Sequence, residues 1–213
     1  MKQNVSQPLR LLVLGATGQT GRLVVRSALA RGHAVTAVVR RAGGFAPAGT
    51  LREAVWPDLG HAAPLGRALT GVDAVISTLG GTDRRPQSVC ADAMRATIPA
   101  MEARGVDRLV VVSAYGAGDS RDGSLYSRAV WAGVPEKMKD KEAMERRVAA
   151  SRLRWTIVRP AALSRRPGRG RYTVGDDLPV RLWSSVSRAD LAELLVDEAE
   201  RPRFVHRYPR VRR

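Results

Sequence analysis

The first residues in this chain with chemistry to offer are three glycines. Gly15, Gly18 and Gly21 stand three apart in "LGATGQTG", directly after a short apolar run. Gly15 permits a tight turn, Gly18 lets the backbone meet a pyrophosphate, and Gly21 lets the next helix pack close to the strand. The helix start, with Thr17, Gln19 and Thr20 around it, then offers unpaired N–H groups and a positive dipole end to phosphate. The spacing differs from Gly-x-Gly-x-x-Gly. It also lacks the Gly-Lys-Ser/Thr that closes the phosphate loop of nucleoside triphosphatases.

Further along, Arg40 and Arg41 end the second apolar run, nineteen residues past Gly21. An enzyme that takes NAD usually places a carboxylate near this point for the ribose hydroxyls. A guanidinium instead suits a 2′-phosphate and stacks on adenine, so the pair predicts NADP. Asp58, with Leu59 beside it, is placed to accept from an adenine amino group. Thr78, Leu79 and Gly80, together with Ser77, would wall the adenosine and ribose, and Pro160 closes a later strand on the same side.

Patterning indicates the elements that must position these groups. Residues 9–14 read as a strand and 20–31 as a helix, with Leu23, Val24, Ala28 and Leu29 at helical spacing and Gly32 at its end. Residues 34–39, 53–56 and 74–79 are the next strands, with 64–69 helical between the last two. Residues 88–104 form a helix stopped by Gly105, 109–113 a fifth strand, and 135–150 a charged helix opening on Pro135. Residues 155–158 are a sixth strand ended by Pro160, 188–200 the last helix, and 204–208 a final strand. Residues 116–133 are the one long irregular stretch, read as a lid or a mobile loop. This alternation predicts the α/β class: a doubly wound parallel sheet in three layers, with ligands at the strands' carboxyl ends. Residues 1–213 fit one domain, with a small substrate-binding C-terminal portion.

Composition narrows the partners. The net charge of +16 comes from 32 arginines and four lysines set against 20 acidic residues. Such a charge invites nucleic acid or anionic membrane. Yet the arginines are spread along the chain, and no basic helix carries interleaved aromatics. A solvated arginine-rich surface is expected, with no specific nucleic acid and no membrane partner. The apolar runs are too short to span a bilayer and no segment has the sections of a signal peptide, so a cytoplasmic protein is expected. One cysteine, Cys90, excludes an intramolecular disulfide and the usual cysteine-based zinc sites; it reads as mid-helix packing, and no metal site is expected. His33 reads as a turn residue, and His61 and His206 lack partners at metal or triad spacing. Asp190 reads as a cap or ion-pair partner of the last helix.

The stretches "GATGQTG", "HAVTAVVRR", "VDAVISTLGG", "GVDRLVVVSA" and "LRWTIVRPAAL" resemble the atypical short-chain dehydrogenase/reductases. Within them the chain is similar to the NmrA-like, NAD(P)H-binding family, over roughly residues 9–200. The resemblance implies an NAD(P)-binding Rossmann fold with NADPH lying over the strand ends. It also implies a catalytic set: Ser113 at the end of the fifth strand and Lys141 on the following helix, matching the family's serine and ribose-gripping lysine. The tyrosine of the usual Tyr-x-x-x-Lys pattern would be residue 137, which is Lys137. Tyr126 does not restore the motif, and Tyr115 lies near enough in sequence to donate a proton or simply to pack. Where the family's flavin-reducing members carry a histidine after the strand-ending proline, Ala161 stands here. That departure argues against tetrapyrrole reduction and opens the pocket.

An incomplete alcohol-dehydrogenase set still suffices for hydride delivery to an electron-poor ring, because solvent can supply the proton. The expected activity is therefore NADPH-dependent reduction of a flavin, a quinone or another conjugated small molecule. The arginine loop 164–172 is either a pocket rim that attracts acidic substrates or a solvated loop. A non-catalytic NAD(P)H sensor is the second expectation, and an epimerase or dehydratase using bound cofactor the third. The assembly is expected to be a monomer or homodimer.

Overall fold

A computed structural model describes residues 7–46, 48–81 and 88–213. In chain order its elements are β1 (Arg10–Leu14), α1 (Gln19–Ala30), β2 (Ala34–Val39), β3 (Leu51–Val55), α2 (Ala63–Ala68), β4 (Ala74–Ser77), α3 (Val89–Ala103) and β5 (Arg108–Val112). There follow α4 (Leu125–Gly133), α5 (Pro135–Ala149), β6 (Arg154–Pro160), β7 (Ala162–Ser164), β8 (Thr173–Gly175), β9 (Ser185–Ser187), α6 (Arg188–Glu200) and β10 (Arg210–Arg212).

The main sheet runs β3-β2-β1-β4-β5-β6-β10-β8, and every pairing is parallel except the edge strand β8 against β10. β7 and β9 form a separate short parallel ribbon. The central strands are apolar at successive positions because both their faces are covered. Leu11 and Val13 of β1 point to one face with Val110 and Val112 of β5; there they meet Val24 and Ala28 of α1 and Leu191 and Leu195 of α6. Leu12, Leu14, Leu109 and Val111 point to the other face, against Leu65 of α2, Met94 of α3 and Met144 of α5. This is the three-layer, doubly wound Rossmann architecture that the alternation predicts. Among the described residues no helix is long and apolar enough to cross a membrane.

Polar clamps hold the edge of the sheet opposite the strand ends that carry the glycine loop. His33 is buried rather than a simple turn residue. Its Nδ1 accepts the Leu9 N–H at 3.1 Å, so Nε2 carries the proton and donates to Glu200 Oε1 at 2.6 Å. Arg31 joins the same cluster through Asp197, Glu193 and Glu200 of α6. On β5 the buried Arg108 donates to the carbonyls of Glu198 and Arg154 and to Thr156 Oγ1, and burial pulls its pKa down to about 10.

Two expected elements and the place of one residue differ. The irregular stretch 116–133 contains α4, whose N-cap Ser124 accepts the Ser127 N–H at 3.2 Å. The final strand lies at Arg210–Arg212, not at 204–208. Residues 206–209 do run beside β6, as the Ile157 N–H bond to the Arg207 carbonyl at 3.1 Å shows. His206 at φ 57° and the donorless Pro209 keep a regular ladder from forming until Arg210. Cys90 sits at the start of α3 rather than mid-helix, buried, with its thiol pKa raised by burial.

Candidate functional site

Moving outward from β1, the chain goes to β2 and β3 on one side and returns to β4 on the other, so a crevice opens at the carboxyl ends of β1 and β4. The glycine loop lies there. Gly15 adopts φ +73°, and a Cβ on it would stand 3.1 Å from the backbone of Thr78 and Leu79. A Cβ on Gly21 would fall 2.1 Å from the Gly15 carbonyl oxygen, a distance no side chain tolerates. Gly18 is the N-cap of α1 and its amide bonds the Gly15 carbonyl at 3.0 Å. Among the described residues no side chain caps this helix, and no acidic residue occupies its first turn. The first-turn N–H groups next to exposed Thr17 and Gln19 therefore remain available to an anion.

The loop after β2 is tied to this seat. Arg22 of α1 donates to the carbonyls of Thr17, at 3.2 Å, and Gly44, at 3.0 Å, and its guanidinium lies 5.1 Å from the Phe45 ring centre. The Glu53 carboxylate of β3 accepts the amides of Gly43 and Phe45 at 2.8 and 2.7 Å. Arg40 and Arg41 begin this pinned loop. Both are exposed and make no side-chain hydrogen bond or ion pair with the described residues. Asp58 is exposed beyond β3; Oδ1 accepts the Gly60 N–H at 2.8 Å and Oδ2 lies 2.9 Å from His61 Nδ1. Those two bonds hold its carboxyl below the usual range. Leu59 is half-buried against the core.

At the ends of β4 and β5 the polar groups converge. Thr78 Oγ1 donates to the Leu14 carbonyl at 3.0 Å and lies 3.2 Å from the Gly15 carbonyl. Lys141 Nζ donates to the carbonyls of Leu79 at 2.8 Å and Val112 at 2.6 Å, bracing the two strand ends. An ammonium has three donors, so one remains without an acceptor among the described residues. Ser113 Oγ is buried and also has no partner among the described residues, as does Ser77 Oγ. Gly80 is exposed at the mouth of this region. Sequence reasoning missed Asp140, whose carboxylate accepts the amides of Cys90 at 3.0 Å and Ala91 at 2.9 Å and so caps α3 from α5. Only the adjacency of Asp140 to Lys141 could have signalled it.

Beyond Ser113 lies an aromatic corner. The Tyr115 N–H bonds the Pro160 carbonyl at 3.0 Å, its ring meets Tyr126 edge-on at 5.5 Å, and its hydroxyl donates to Asp122. That bond spends the one proton of Tyr115, and burial with the Asp122 bond raises its pKa. Burial pushes Tyr126 up to about 12. Ala161 does not open a pocket here: it is buried against Tyr115, Tyr126 and Val180. Lys137, in the place of the tyrosine, is half-exposed one turn before Lys141.

Taken together, Gly15, Arg40, Asp58, Gly80, Ser113 and Pro160 each lie at or just beyond the carboxyl end of a neighbouring parallel strand, with Lys141 reaching in from α5. The glycine cradle, the uncapped helix start and the unpartnered Ser113 hydroxyl fit a dinucleotide. Among the described residues no group of three or more His, Cys, Asp or Glu side chains could hold a metal ion.

Comparison with known proteins agrees with this geometry. A family described as NAD(P)H-binding matches residues 15–202. The chain is 30% identical over 202 residues to YhfK of Bacillus subtilis, an uncharacterized sugar epimerase, covering 88% of this chain and 86% of that one. It is 33% identical over 112 residues to the photosystem II assembly factor Ycf39 of Cyanophora paradoxa, and this match spans only 34% of that protein's length. Among solved structures, ChuY of Escherichia coli O157:H7, an anaerobilin reductase, superposes with a TM-score of 0.79 at 24% identity, covering 95% of this chain and 96% of that one.

Proposed function

Because the chain belongs to the NAD(P)H-binding family, and so to proteins that take a nicotinamide dinucleotide, we propose that it is an NADPH-dependent oxidoreductase that reduces a flavin, a quinone or another conjugated small molecule. The observation that carries this is the buried, unpartnered Ser113 hydroxyl beside a lysine-braced strand end. A hydroxyl held dry without a protein partner costs stability, and a ligand carboxamide or carbonyl would satisfy it. The dinucleotide, when bound, supplies the hydride.

The chain's residues take the remaining roles. The glycine loop and the α1 N-terminus receive the pyrophosphate, and Arg40 with Arg41 favours a 2′-phosphate. Asp58 and Leu59 flank the adenine, and Thr78, Leu79 and Gly80 wall the ribose. Lys141 directs its third N–H to a ribose hydroxyl, Ser113 orients the reacting rings, and Pro160 and Tyr115 shape the wall behind them. With the Tyr115 proton held by Asp122 and lysine at position 137, solvent protonates the reduced acceptor. That favours a conjugated acceptor over a simple ketone. Residues 1–213 work as one domain, the C-terminal portion on the acceptor side, in a monomer or homodimer.

The same lack of a placed proton donor favours a second reading, a dinucleotide sensor without turnover. Purified protein mixed with NADPH or NADH and a panel of flavins and quinones decides between them. Loss of nicotinamide absorbance with at least one acceptor is expected. Tight NADPH binding without oxidation on any acceptor establishes the sensor, and no binding of either nucleotide removes both.

A further inference from the structure

A second concavity lies one strand beyond the aromatic corner. This cleft of about 350 Å³ is lined by Arg166, Arg181, Arg212 and Arg213, with Trp183, Ser184 and Ser185. No carboxylate side chain lines it, and none of the four guanidiniums pairs with a carboxylate side chain of the described residues, although Arg212 Nη1 donates to the Arg213 main-chain oxygen at 3.2 Å. By contrast, Arg31, Arg108, Arg159, Arg203 and Arg207 all face carboxylates.

The cleft is also built. Arg181 and Ser184 exchange two bonds, Arg181 N–H to Ser184 Oγ at 2.9 Å and Ser184 N–H to the Arg181 carbonyl at 2.8 Å. Arg212 Nε donates to the Pro179 carbonyl at 2.8 Å, which fixes the root of its fork. The arginine loop is held by Asp190 Oδ1, which accepts the amides of Arg169 and Gly170 at 2.9 Å each. Trp183 is 77% exposed, an unusual position for a large ring unless something stacks on it. Its size is that of a small-molecule site rather than a track for a polymer.

Register fixes where the cleft lies. β5 pairs with β6, and β6 with β10, Val211 standing opposite Pro160. The end of β10 is thus two strand spacings from the end of β5, on the order of 10 Å from Ser113. Val180, next to Arg181, packs on Tyr115 and Ala161. The cleft therefore adjoins the aromatic corner through Val180.

We propose that this cleft recognises an anionic group carried by the acceptor, a phosphate monoester or a carboxylate, held by the Arg166, Arg181 and Arg212 guanidiniums while the conjugated ring lies toward Ser113. The proposal rests on the strand-end site being where the acceptor is reduced. Guanidiniums match both oxyanions in a fork geometry.

Riboflavin and flavin mononucleotide share a ring and chain and differ in one phosphate, so they are the probes. Their binding is read by quenching of flavin fluorescence, with NADP present, and their reduction by NADPH oxidation. Flavin mononucleotide should bind about tenfold or more tightly than riboflavin at low salt, the gap closing as salt is raised. Arg166→Glu and Arg181→Glu alter exposed side chains with no described partner, and each should abolish that gap while leaving riboflavin affinity unchanged. A preference without NADPH oxidation keeps the anion site and removes the reductase. Oxidation with no difference between the flavins keeps the reductase and overturns the anion site. A preference that survives both variants, or no difference whether both flavins bind or neither does, also overturns it. So does arginine-dependent binding of single-stranded DNA without flavin discrimination, which would make the cleft part of a polyanion surface.

Discussion

Ser113 and Lys141 are both buried at the end of β5, but of their side chains only that of Lys141 is bonded to the described residues. The difference separates a residue kept for a ligand from one that also holds the fold. Removing the Ser113 hydroxyl forfeits no hydrogen bond with the described residues and relieves an unpaired buried group, so Ser113→Ala should leave stability unchanged or raise it by about 1 kcal/mol. NADPH oxidation should nevertheless fall about tenfold or more. Lys141→Met strands the Leu79 and Val112 carbonyls and should cost about 3 kcal/mol, with weaker dinucleotide binding as well. Denaturant melts and initial rates on the two variants check this. A Ser113→Ala protein that is as destabilised as Lys141→Met yet fully active would make the serine structural. At this scale the placement of the glycines and Ser113 was legible because each type has few reasons to occupy its position. Asp140 was not, because its partners at Cys90 and Ala91 lie across the fold and nothing local marks them.

Helix α5 does two jobs from adjacent residues: Lys141 braces the strand ends and Asp140 caps α3. Ser88, the local N-cap of α3, makes no capping bond, so the carboxylate from α5 substitutes for it. Asp140→Ala should therefore cost about 1–2 kcal/mol, a cap's usual worth. It should also loosen α3 against α5, which faster amide exchange in the first turn of α3 would register. Unchanged exchange and stability would show that α3 needs no cap. Periodicity revealed α1, α3, α5, α6 and the strands β1, β2, β4, β5 and β6 nearly to their ends, because both faces of the sheet demand apolar residues at fixed spacing. It missed α4, which buries little more than Tyr126 and Ser127 and so carries a weak apolar pattern, although Ser124 was a readable cap signal. It misplaced the last strand because Phe204, Val205 and Tyr208 look β-forming, while His206 and Pro209 interrupt the ladder.

Across the molecule, the His33–Glu200–Arg31 cluster joins the beginning of the sheet to the last helix and gives the fold a pH dependence. Burial pushes the Glu200 pKa up, but the His33 bond and Arg31 outweigh it and hold the carboxyl below its ordinary 4.5. A depressed folded-state pKa contributes stability above the unfolded value and loses it as pH falls through the folded one. Thermal melts of wild type should therefore decline from about pH 5 downward more steeply than those of Glu200→Gln. Parallel curves would exclude the cluster as the cause.

The central claim, an NADPH seat at the carboxyl ends of the strands, is tested most directly by the binding step of the oxidation assay. NADPH and NADH are titrated into wild type and Arg40→Glu. Wild type should bind NADPH about tenfold or more tightly than NADH, and the variant should lose that preference by weakening NADPH alone. Equal losses for both nucleotides would contradict the choice of cofactor, and no binding of either would contradict the site itself.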